Sequence, residues 1–115
     1  MPLEIKTREV GGVTLLELNG KIILGDESSS LREAIKGLLA QGKKRVLLNL
    51  ARISFIDSTG VGTLVAAYTS ARSQGGEVKL SSLTKKFRET LQVTRLLTVF
   101  EVFDDDQAAL ASFNK

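Results

Sequence analysis

Along this 115-residue chain the hydrophobic period switches repeatedly between the two-residue repeat of a strand and the helical repeat of about 3.6 residues, and that switching limits the fold more than any other feature. Leu3-Glu4-Ile5-Lys6-Thr7-Arg8 alternates apolar and polar residues, Gly11-Gly12 breaks the run, and Val13-Thr14-Leu15-Leu16-Glu17-Leu18 resumes it. An antiparallel hairpin is predicted. Lys21-Ile22-Ile23-Leu24 reads as a further strand piece, ended by Gly25-Asp26. Leu31, Ile35, Leu38 and Leu39 then share one helical face, with Ser30 and Glu33 at capping-box spacing and Gly42 as a stop. Val46-Leu47-Leu48-Asn49-Leu50 is a nearly continuous apolar run, as expected of a buried central strand.

The next helix is predicted to begin near Ser58, with Val61, Leu64, Val65 and Tyr68 on one face and Gln74-Gly75-Gly76 at its end. Val78-Lys79-Leu80 makes another strand, and Phe87 with Leu91 marks another helix. Leu96-Leu97 and Val99-Phe100 extend the core, Val102-Phe103 reads as an edge strand, and Asp104-Asp105-Asp106 leads into a last helix through Leu110. Strands alternating with helices through short loops predict an α/β fold: a small mixed sheet, mostly parallel and opened by the hairpin, with helices packed on it. The only proline is Pro2, and no repeat or linker divides the chain, so one domain over residues 1–115 is expected.

Composition narrows the function. Cysteine and histidine are both absent, which removes disulfides, thiol nucleophiles, imidazole bases and nearly every transition-metal site. A non-enzyme without cofactor or metal is expected. The net charge of +3, Lys43-Lys44-Arg45, and Lys85-Lys86 with Arg88 invite a nucleic-acid reading, but aromatic residues make up only 5% and offer no base-stacking platform. These clusters read as solvated faces. No apolar run approaches the roughly 20 residues of a membrane span, and Met1 to Val10 lacks a signal-peptide core, so a cytoplasmic protein with no membrane or direct nucleic-acid partner is expected.

Asp57-Ser58-Thr59-Gly60 falls where a loop leaving a buried strand meets a helix, so its backbone amides are the unpaired donors of a first turn. Asp57 or Ser58 can cap them. A phosphate on Ser58 would meet those amides and the positive end of the helix dipole, while the Asp57 carboxylate would repel it. As a bare local pattern, this is also an ordinary N-cap. Gly60 and Gly62 each cost up to about 1 kcal/mol of helix propensity relative to alanine, so close approach by a neighbour or partner should compensate.

The stretch Phe55-Ile56-Asp57-Ser58-Thr59-Gly60-Val61-Gly62 resembles the signature of STAS-domain anti-sigma factor antagonists, an Asp-Ser-Ser/Thr-Gly-aliphatic-Gly run before a helix. The resemblance covers essentially the whole chain: Val13 to Gly20 and Arg45 to Leu50 resemble the family's second and central strands, Gly75 to Leu80 the next, and Leu96 to Phe103 the closing stretch. It implies that Ser58 is phosphorylated by a cognate anti-sigma factor serine kinase of the GHKL type, which holds the ATP, and that a serine phosphatase reverses the reaction. The unmodified form would bind the kinase and free the sigma factor. Asp57, Thr59, Gly60 and Gly62 match the motif and would shape the docking surface. The family often places Gly-x-Leu-Asp before the first helix, whereas Gly20 here is followed by Lys21-Ile22-Ile23-Leu24-Gly25-Asp26. Asp26 is a candidate for that aspartate's role, or a turn or cap residue.

The rival readings lack residues. A serine hydrolase needs a base that the absent histidine cannot supply and a G-x-S-x-G elbow that does not occur. Neither nucleotide-binding glycine motif appears in its required context. Asp104-Asp105-Asp106 lacks calcium-loop spacing and reads as a helix cap. STAS modules also serve as interaction subunits of stress-signalling scaffolds and lipid-transport assemblies, which leaves that alternative open, with Thr59 as the other modifiable residue.

Overall fold

The computed structural model describes residues 3–93 and 99–113. Five strands form one sheet in the order β1-β2-β3-β4-β5: β1 (Glu4–Val10), β2 (Val13–Ile22), β3 (Arg45–Ile56), β4 (Glu77–Ser81) and β5 (Val102–Phe103). The β1–β2 pair is antiparallel and the other three pairs are parallel, as expected of a hairpin opening a parallel sheet. Gly11 and Gly12 turn the hairpin at φ 56° and 83°, a left-handed pair that glycine adopts without strain.

Helices α1 (Asp26–Ala40), α2 (Ser58–Ser73), α3 (Lys85–Val93) and α4 (Asp106–Ser112) complete the chain's described elements. The period-two pattern divides the strands between two layers. Leu16, Leu18, Val46, Leu48, Leu50, Val78 and Leu80 pack with Leu31, Ile35, Leu64, Ala71, Phe87 and Leu91 of α1, α2 and α3. The alternate residues Val13, Leu15 and Leu47 pack with Ala109 and Phe113 beside α4. The central strand is therefore buried on both faces over Val46–Leu48, which explains its unbroken apolar run. Val99 and Phe100 join the larger cluster, Phe100 through an edge-to-face contact with Tyr68 at 5.6 Å; Leu96 and Leu97 lie outside the described residues.

Three expectations need correction. The strand piece at Lys21–Leu24 is no separate element: β2 runs on to Ile22 through register shifts after Glu17 and Gly20. The central strand continues past Leu50 to Ile56, because its second half pairs only with β2 and so carries no apolar run. Helix α1 starts at Asp26, which puts Ser30 and Glu33 inside it, so they form no capping box. Gly25, at φ 110°, marks that start, and Asp26 and Glu27 suit the positive end of the helix. Gly42 is the predicted stop: its N–H donates to Leu39 O at 3.0 Å and that of Lys43 to Leu38 O at 2.9 Å, the two bonds of a Schellman turn.

Candidate functional site

The paired extensions of β2 and β3 carry Ile22 and Ile56 beyond the rest of the sheet and deliver the chain to the start of α2. There Asp57, extended at φ −102° and ψ −177°, is the N-cap. Its Oδ1 accepts from Gly60 N–H at 2.8 Å, as a capping carboxylate does. Its Oδ2 accepts from Leu24 N–H at 2.9 Å, and its own N–H donates to Ile22 O at 3.3 Å. One side chain thus caps α2 and ties the β2–α1 loop to it. The Leu24 and then the Gly60 amide, by bonding the ionised form, hold the Asp57 carboxyl below its ordinary range.

With Asp57 as the cap, Ser58 is left as the exposed first residue of α2. Thr59 is half-buried, and its carbonyl accepts from Thr63 Oγ1 at 3.0 Å. Gly60 is buried with its Cα against the Ile22 carbonyl; a side-chain carbon there would collide with that carbonyl and lie 2.7 Å from Ile56 Cγ1. The expected close approach is therefore internal at Gly60. At Gly62 a methyl group would have no atom within 4 Å, so nothing in the fold accounts for that glycine. The five motif residues Asp57, Ser58, Thr59, Gly60 and Gly62 share this helix start. Asp26 is exposed in the first turn of α1, and its side chain has no hydrogen bond or ion pair among the described residues.

Leu24 escaped the sequence reading because it lies 33 residues from the carboxylate it meets. Phe55 was read only as part of the motif. It is 44% exposed, and Lys86 Nζ stands 5.4 Å from its ring centroid. Only the exposure of a phenylalanine beside a polar turn could have signalled it, and exposure is invisible in a sequence.

The STAS domain family model matches residues 4–109. The chain belongs to the STAS domain family. BtrV of Bordetella bronchiseptica is 24% identical to it over 111 residues, 96% of this chain and 95% of that protein. The anti-sigma-B factor antagonist of Bacillus subtilis is 31% identical over 72 residues, 63% of this chain and 65% of the relative. The solved anti-sigma factor antagonist SpoIIAA in its unphosphorylated form matches with a TM-score of 0.73 at 19% identity, over 96% of this chain and 98% of the other. The Bacillus cell fate determinant SpoIIAA in the phosphorylated form matches with a TM-score of 0.75 at 20% identity, over 96% and 99%. At those identities the structural likeness establishes the STAS fold. No helix among the described residues is long and apolar enough to cross a membrane.

Proposed function

We propose that this STAS protein is an anti-sigma factor antagonist in a phosphorylation-controlled partner switch. The observation that carries the reading is the exposure of Ser58 as the first residue of α2, on a turn that Asp57 holds on both sides. In this reading the unmodified protein binds an anti-sigma factor serine kinase of the GHKL type in the cytoplasm and frees the sigma factor. The kinase holds ATP; Ser58 Oγ attacks the γ-phosphorus, its proton is lost and ADP leaves. A serine phosphatase hydrolyses the phosphate and restores the binding form.

Rigidity explains how one group can act as a switch. Phosphorylation adds about −1.5 to −2 charges. Asp57 already occupies the Gly60 amide, so a phosphate on Ser58 projects from the surface instead of replacing the cap. The docking surface changes sign while the fold stays. Thr59 is a poorer target because it is half-buried and its turn is engaged by Thr63. Asp26, Asp57, Thr59, Gly60 and Gly62 are proposed to shape the docking surface, Gly62 by leaving open space for the partner's backbone.

The test is affinity isolation of the kinase from the source organism, followed by incubation with ATP. One phosphate is expected, at Ser58 in a phosphopeptide map. Ser58→Ala should retain kinase binding and Ser58→Asp should weaken it. Phosphate confined to another residue, or equal calorimetric affinities for the two variants, would sink the proposal.

A further inference from the structure

Three large hydrophobic side chains are prominently exposed among the described residues: Leu24 at 73%, Phe55 at 44% and Val93 at 84%. Two of them flank Asp57. Leu24 is fixed by the hydrogen bond its backbone N–H donates to that carboxylate, and Phe55 precedes Ser58 by three residues, at most about 10 Å of chain. Phe55 belongs to neither core cluster, so the fold does not require it. Two lysines neighbour it in the fold. Lys21 is its register partner across the β2–β3 pair, and Lys86 stands over its ring. Both lysines are exposed and neither has a carboxylate partner among the described residues.

We infer that Phe55, together with Lys21 and Lys86, anchors the docking surface beside Ser58, and that it meets an apolar recess lined by carboxylates on the anti-sigma factor kinase. The inference rests on the antagonist reading above. Charge complementarity selects the occupant. An aromatic ring with one ammonium group over it and a second exposed lysine on the adjoining strand fits an apolar socket with an acidic rim. A phosphodiester chain fits poorly, because Phe55 is the only exposed aromatic side chain among the described residues and successive bases need successive rings. An anionic lipid surface calls for a cluster of about 4–8 basic residues rather than the two lysines near Phe55. The arrangement also explains release. A phosphate on Ser58 repels the partner's carboxylates and competes for the same two lysines.

The experiment measures, by calorimetry, binding of the purified protein to the kinase isolated as described above. Phe55→Ala is expected to weaken binding about tenfold or more, as loss of an aromatic anchor does. The double variant Lys21→Glu, Lys86→Glu should weaken it about tenfold and flatten its salt dependence, while Lys21→Arg, Lys86→Arg should bind as wild type. Lys44→Glu, on an exposed lysine before β3, should leave binding unchanged. Should Phe55→Ala lose its helical circular dichroism, the lysine variants decide alone. Wild-type affinity in Phe55→Ala and in the Glu double variant, with Ser58→Asp still weakened, overturns this inference and leaves the antagonist reading standing. A wild-type protein that binds no such kinase overturns both. Binding to phosphatidylserine vesicles or to a single-stranded oligonucleotide that depends on Phe55, without effect on the kinase, also overturns it.

Discussion

Helices α2 and α4 start with the same local grammar and use it differently. Asp57 accepts from Gly60 N–H and Asp105 accepts from Ala108 N–H, both at 2.8 Å and three residues along the chain. The difference lies in which residue makes the tertiary tether. At α2 the capping carboxylate itself makes the second bond, to Leu24, so the next residue, Ser58, has no structural task and faces solvent. At α4 the cap is exposed and the next residue does the gripping: Asp106 accepts from Asn49 Nδ2 at 3.0 and 3.1 Å and from Ser81 Oγ at 2.5 Å. An N-cap motif alone therefore does not mark a modifiable serine. What matters is whether the cap also carries the tertiary tether, because then the following side chain is spare.

The comparison breaks most sharply at the third residue after each cap. Ala108 of α4 is exposed, whereas Gly60 of α2 abuts the Ile22 carbonyl, backbone that cannot rotate away. Gly60→Ala is expected to destabilise the protein by about 3 kcal/mol through overpacking. Ala108→Gly should cost only about 1 kcal/mol, the usual propensity loss. Urea unfolding checks both: the midpoint should fall far more for the first, with little change in slope. Equal shifts would mean that the contact with Ile22 does not constrain the start of α2.

The second residue sharpens the same contrast. Asp106→Ala strands the hydroxyl of Ser81, a fully buried residue, and removes the bonds from Asn49, so a loss of about 2 kcal/mol is expected. Ser58→Ala, at the equivalent place on α2, should change stability by less than about 0.5 kcal/mol. Thermal denaturation of the two variants side by side reads the difference. A comparable loss in Ser58→Ala would show that the serine has a structural role and is not spare.

Those tests bear on features that were unequally legible. Elements bounded by a clear change of period emerged from the sequence with nearly their true extent: the hairpin, α2 and β4 are where the alternation and the glycines put them. Boundaries set by tertiary contact did not. Ser30 and Glu33 had capping-box spacing, yet α1 begins at Asp26, because Gly25 takes a backbone conformation suited to glycine just after β2 ends. Ala51 to Ile56 was missed as strand because a stretch paired on one side, with much of its surface exposed, has no hydrophobic signature. The local half of the site, Asp57 capping the turn that presents Ser58, followed from residue chemistry with the choice between Asp57 and Ser58 left open. Its non-local half, the Leu24 tether and the Lys86–Phe55 contact, comes from segments distant in the chain, for which no local pattern exists.

The smallest expected effect concerns the carboxylate that does both jobs at α2. Backbone amides of Leu24 and Gly60 lower the folded-state pKa of Asp57 below that of the unfolded chain, so the unfolded state takes up the proton first as pH falls. The resulting stabilisation is complete above the unfolded value of about 3.9 and disappears as pH drops through the folded value. Glu9 contributes with the same sign at the other end of the sheet, through Lys43 and Thr14. Asp57→Asn should therefore flatten part of the acid limb of a stability-against-pH curve, and Glu9→Gln another part. At neutral pH the two should separate. The substituted asparagine side chain has one acceptor oxygen for two converging amides, and its NH2 would face the other amide donor, so the Leu24 loop or the α2 cap is released. Glu9 accepts from an exposed lysine and a threonine hydroxyl, and its replacement frees no element. Chemical denaturation at pH about 7 and about 3, with amide hydrogen exchange of Leu24 and Gly60, reads both parts. Unchanged protection of those two amides in Asp57→Asn would show that Asp57 does not hold the loop to the helix, and the distinction between the two helix starts would fail at its source.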